Sequence, residues 1–158
     1  MTTARQVAEY ILWSQHEAGS FISNLKLQKL LYYVQAWHLA VFGKPLFAER
    51  FEAWVHGPVI PDLYRQYKEF GWRNIDTEVQ KPDFSPDLTS FIEEVLDEYG
   101  PLDARRLEYL THREDPWRDA RSGLAPEEPC TCPIDEKQMA EYYRRRLSQE
   151  ELETFRGQ

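Results

Sequence analysis

Four histidines and two cysteines are the side chains of this 158-residue sequence best suited to chemistry. An imidazole titrates near neutral pH, so His38, His56 and His112 could together serve a hydrolase as acid and base. The surroundings of each point elsewhere. His38 falls on an apolar helical face between Val34 and Val41, where it is expected as a hydrogen-bonded core residue rather than a catalyst. His56 precedes Gly57-Pro58, and His112 follows Thr111 where a helix should be ending. Both suit the capping of loose carbonyls. His16 reads as surface.

Metal and nucleophile chemistry fare no better. Cys130-Thr131-Cys132 supplies two soft ligands at an unusual spacing, and no His-x-x-x-His or second cysteine pair completes a tetrahedral set. The sequence contains no phosphate-cradling glycine loop and no G-x-S-x-G elbow, and no pair of carboxylates stands out by its spacing. The expectation from residue chemistry is a protein without catalytic, cofactor or metal residues.

The elements that would position these side chains are helices separated by Gly and Pro. Thr3 and Gln6 form a capping box ahead of Val7, Ala8, Ile11 and Leu12, and that helix should end near Gly19. The second helix is expected over 24–42, capped by Ser23 or Asn24 and stopped by Gly43 and Pro45. Leu27, Leu30, Leu31, Val34, Trp37 and Val41 share one of its faces, while Leu25, Tyr32, Ala36 and Leu39 form a stripe nearly opposite. A helix apolar on two sides is a central helix, packed all round. Gln28 and Gln35 lie between the stripes, and buried amides there should tie neighbouring segments to the helix.

Further along, Phe51, Ala53 and Val55 alternate with Glu52, Trp54 and His56 as in a short strand, stopped by a turn at His56-Gly57-Pro58. Pro61 fits the first turn of a helix over 61–70. Ser85 and Asp103 begin two more helices, Asp115-Pro116 a single turn holding Trp117, and Asp135 the C-terminal helix. Residues 122–133 read as a loop. The fold class expected is all-α, a compact single domain of about six helices with at most a minor strand pair. It should span residues 1–147, followed by a short helix or tail at 148–158.

Composition narrows the partners. Hydrophobic residues make up 42% and charged residues 29%, ordinary for a globular chain that buries a core without metal or disulfides. A net charge of −8 repels phosphate backbones and weighs against nucleic acid, including a DNA-binding autorepressor role. Arg144, Arg145 and Arg146 diverge around a helix and read as a solvated face. No apolar run is long enough to span a membrane. The first residues lack a signal-peptide core, and the cysteines, expected as free thiols, fit the cytoplasm. The 5 Trp, 9 Tyr and 8 Phe offer anchors for a protein interface.

Three stretches together resemble one family. They are Leu25-Lys26-Leu27-Gln28-Lys29-Leu30-Leu31-Tyr32-Tyr33-Val34-Gln35-Ala36-Trp37-His38, then Phe51-Glu52-Ala53-Trp54-Val55-His56-Gly57-Pro58-Val59-Ile60-Pro61 with Tyr64, and finally Thr111-His112 with Pro116-Trp117. In order and spacing they resemble the Panacea domain of SocA-like antitoxins and phage-associated GepA proteins, from about residue 5 to 145. The resemblance implies a non-enzymatic antitoxin and a cognate protein toxin, such as an alarmone-synthetase-like translation inhibitor. It also implies a second mode, an adaptor that hands a toxin to an AAA+ protease. Leu27, Leu30, Leu31, Val34 and Trp37 are core by periodicity, while Gly57, Pro58 and Pro61 should shape a turn. Lys26, Lys29, Tyr33, Trp54, His56 and Tyr64, off the core face, are the interface candidates, each with a structural role open to it.

Overall fold

The computed structural model describes residues 2–148, 151 and 153; of the expected tail at 148–158, all but those three positions lie outside the described residues. Among them are seven α-helices, one 3-10 turn and one β-hairpin. The helices are α1 (Ala4–Glu17), α2 (Asn24–Phe42), α3 (Pro61–Gln66), α4 (Pro86–Tyr99), α5 (Ala104–His112), α6 (Asp115–Ala120) and α7 (Glu136–Arg144). No helix among the described residues is long and apolar enough to cross a membrane.

Local sequence sets the boundaries. Thr3 and Gln6 close the capping box of α1, with both hydrogen bonds at 3.1 Å. Ser23 Oγ accepts from Lys26 N at the start of α2, and Gly43 ends that helix at φ +74°, a left-handed conformation that costs a glycine little. Ser85, Asp103 and Asp135 cap α4, α5 and α7 in the same way. The helix expected over 61–70 divides into α3 and a 3-10 turn at Lys68–Phe70.

The core is built around α2, which touches α1, α4, α5, α7 and the hairpin. Fifteen of its 19 residues are buried, so neither stripe faces water. The two glutamines behave as their position requires. Gln28 Oε1 accepts from Ile60 N at 3.0 Å, while Gln35 donates to Phe47 O at 2.8 Å and accepts from Leu46 N at 2.7 Å. Each amide therefore fixes a loop to the central helix.

Four expectations are corrected. Trp37 is only half-buried, because it sits near the end of α2 where its ring edge reaches a cleft beside α4; its Nε1 donates to Tyr99 Oη at 2.8 Å. Gly57 and Pro58 do not form the turn but begin β2 (Gly57–Val59), which pairs antiparallel with β1 (Glu52–Trp54) across a two-residue loop, Val55-His56. The loop expected over 122–133 ends in pairing, since Ala53 N donates to Cys132 O and Ile134 N to Phe51 O, which gives β1 a neighbour on its second edge. Cys130 and Cys132 are joined in a disulfide rather than free, and a bridge across so short a loop removes little chain entropy.

Candidate partner-binding site

The hairpin is held from beneath by α2. Lys29 is fully buried and its Nζ donates to Pro58 O at 3.2 Å. Burial lowers this amine to about 7, against the attraction of Glu108, the charge that favours protonation. Directly above it, Gly57 adopts φ +109°; a Cβ there would lie 2.4 Å from Lys29 Cε and 3.0 Å from Thr111 Oγ1. Only glycine supplies both the backbone angle and the space. Gly57→Ala is expected to destabilise the chain by roughly 2–3 kcal/mol, read as a lower urea midpoint with unchanged slope.

Next to this contact, α5 and α6 assemble a second layer. His56, exposed, donates from Nδ1 to Glu108 Oε1 at 3.1 Å, and His112 Nε2 lies 3.9 Å from the same oxygen. His112 stacks on Trp117 with ring centroids 3.9 Å apart, and Trp117 Nε1 donates to Trp54 O at 2.8 Å. Burial lowers the His112 pKa below its ordinary value, with Glu108 acting in opposition. Thr111 Oγ1 donates to Glu108 O, so the hydroxyl closest in sequence to His112 is already engaged. His38 is held elsewhere, its Nδ1 donating to Lys44 O at 2.7 Å and its ring against Phe42 and Phe91. The hairpin corner therefore brings His56 and His112 to one carboxylate and leaves His38 out. Among the described residues no group of three or more His, Cys, Asp or Glu is arranged to hold a metal ion.

The interface candidates separate into two sets. Lys29 and Tyr33, expected off the core face, are buried, because the sides between the stripes of α2 are covered by the hairpin and by α4 and α7. Tyr33 stacks on Tyr99 at 3.9 Å and donates to Glu114 Oε1 at 2.7 Å; Tyr143 Oη also meets Glu114, at 2.8 Å. Burial raises the Glu114 carboxyl, and the tyrosine hydrogen bonds lower it in part. Lys26 is half-buried and its Nζ donates to Gly100 O at 2.6 Å, tying α2 to the end of α4. Trp54, His56 and Tyr64 instead meet on the outside of the hairpin.

There they line an open, mainly apolar groove of about 250 Å³, with Leu25, Val55 and Val59 alongside and Pro129, Cys130 and Thr131 on the far wall. Trp54 and Tyr64 meet edge to face at 5.2 Å, and Trp54 Nε1 donates to Glu52 Oε1 at 2.8 Å. Sequence reasoning missed Arg121, Glu114 and Tyr143, which hold this corner of the fold and the tyrosine layer behind it. Arg121 and Glu114 lie in polar stretches without apolar periodicity, so neither carried a signal of burial.

The family model described as antitoxin SocA-like, Panacea domain, matches residues 27–118. That range takes in Lys29, the hairpin, Glu108, His112 and Trp117 and stops short of Arg121 and the far wall of the groove. Antitoxin SocA of Caulobacter vibrioides (strain NA1000 / CB15N) is 36% identical, in a match covering 72% of this chain and 68% of that protein. No solved structure matches the chain.

Proposed function

The chain belongs to the SocA-like Panacea family, and on that premise we propose that it is an antitoxin that neutralises its cognate protein toxin by direct binding. The observation that carries this reading is the family match over 27–118, which contains both the hairpin and α3, whose Trp54, His56 and Tyr64 line one groove. Trp and Tyr are of the types that dominate protein interfaces, and two half-exposed rings held by the hairpin and α3 bind without much ordering cost. The relevant chemistry is recognition, not turnover. A translation inhibitor of the alarmone-synthetase-like type is the toxin to test first.

Purified toxin should lose activity as this protein is titrated in, saturating near equal molarity with no protease present. Deleting residues 148–158 should leave the inhibition intact, since the family match ends before them. A toxin that stays active in the complex, and disappears only when an AAA+ protease and ATP are added, would replace blocking with delivery.

A further inference from the structure

We propose that the groove outside the hairpin is the surface that engages the toxin, and that it takes a basic, non-extended segment whose large apolar side chain seats between Trp54, Tyr64 and the Pro129–Thr131 wall. This rests on the reading of the chain as a toxin-binding antitoxin and adds the place and the chemistry of contact.

Charge selects the occupant. Two of the three rings that line the groove lean on carboxylates: Trp54 Nε1 on Glu52, and His56 Nδ1 on Glu108. Glu127 and Glu128 stand exposed immediately before Pro129. Among the described residues none of these four carboxylates lies within ion-pair distance of a lysine or arginine; Glu108 meets His56 and His112 and acts at longer range on the buried Lys29. An apolar trough with carboxylates beside it that no surface lysine or arginine pairs is complementary to an apolar anchor flanked by Arg or Lys. The net charge of −8 adds a long-range pull on the same partner.

Backbone geometry excludes a strand as the occupant. The outer edge of β1 is paired with residues 132–134, through Ala53 N to Cys132 O and Ile134 N to Phe51 O. On the β2 side Lys29 occupies Pro58 O, and Gln28 takes Ile60 N. With both edges of the hairpin engaged, the groove it lines favours side-chain contacts, which suits a helix or loop.

The test measures affinity and association rate for the purified toxin at low and high salt. Trp54→Ala should weaken binding at least about tenfold. Glu52→Gln with Glu108→Gln should slow association and flatten its salt dependence, because screening acts on the rim charges. Thr131→Arg, at an exposed wall position that does not disturb the core, should weaken binding even if the Trp54 variant fails to fold. If the toxin binds the folded variants within about twofold of the parent and with the same salt slope, contact lies elsewhere while direct neutralisation stands. If the parent protein itself neither binds nor inhibits the toxin, the antitoxin reading fails and the groove assignment with it.

Discussion

Arg121→Ala is expected to cost roughly 3–5 kcal/mol of stability, enough to lower the melting temperature by about 10 °C or more. The guanidinium is 2% exposed and has no carboxylate among its hydrogen-bond partners. It donates from Nη1 to Ala53 O at 2.8 Å and from Nη2 to Ala125 O at 3.0 Å, and it also meets Glu128 O. Its Cζ lies 4.7 Å from the Trp117 ring centroid. One planar cation thus joins the hairpin, α6 and the loop leading to the cysteines. Alanine would leave those carbonyls without their donor and a void beside Trp117. Arg121→Lys should recover only part of the loss, because an ammonium cannot address diverging carbonyls with a rigid fork. Thermal melts of the two variants decide it. A loss below about 1 kcal/mol for alanine would show that the loop holds its course without the clamp.

Stability should rise with pH between about 7 and 9.5, and Lys29→Met should abolish the rise. Lys29 titrates near 7 in the folded chain and near 10.5 when unfolded. Between those values the unfolded state binds the extra proton, so raising the pH favours folding. The slope is at most about 1.4 kcal/mol per pH unit, or ~3 kcal/mol over the window. Below 7 both states are protonated and this contribution is absent. The histidines His38 and His112, both lowered, act below 6.5 in the same direction. Buried tyrosines such as Tyr33 and Tyr143 are raised, so they favour the fold less as pH passes 10 and set the upper limit. Urea titrations at pH 7, 8 and 9 measure the slope. A flat profile would mean that Glu108 keeps Lys29 charged throughout.

The course of α2 was legible because apolar periodicity and caps are local signals. Ser23, Gly43, and the stripes through Leu30 and Ala36 fix its ends and its central place, and that place in turn requires partners for Gln28 and Gln35. The same periodicity misplaced Lys29 and Tyr33. Two opposed apolar stripes leave narrow sides, and residue type suggested water for what is covered by the hairpin and by α4. Trp37 erred in the other direction, since spacing gives the face a residue occupies but not how near the rim of the core it lies. The site candidates Trp54, His56 and Tyr64 were found by type and resemblance. Their convergence depends on a two-residue loop and on the pairing of residues 132–134 with β1, which are long-range facts. Arg121 and Glu114 carried no signal, because a buried charge is defined by its partners.

The pairing of α2 with α7 has a consequence for how the protein is made. Tyr32 meets Tyr143 across 111 positions of sequence, and Gln35 reaches Glu136 across 101. At ribosomal speeds, α7 follows α2 out of the exit tunnel after about 5–20 s. Throughout that interval one flank of the most apolar helix has no cover, and the nascent chain is exposed to chaperones and proteases. Pairings this distant in sequence also slow folding after release. The core therefore closes only after the ribosome has passed the codon for Arg144, and any truncation upstream of Glu136 would yield a chain whose central helix stays open to the solvent.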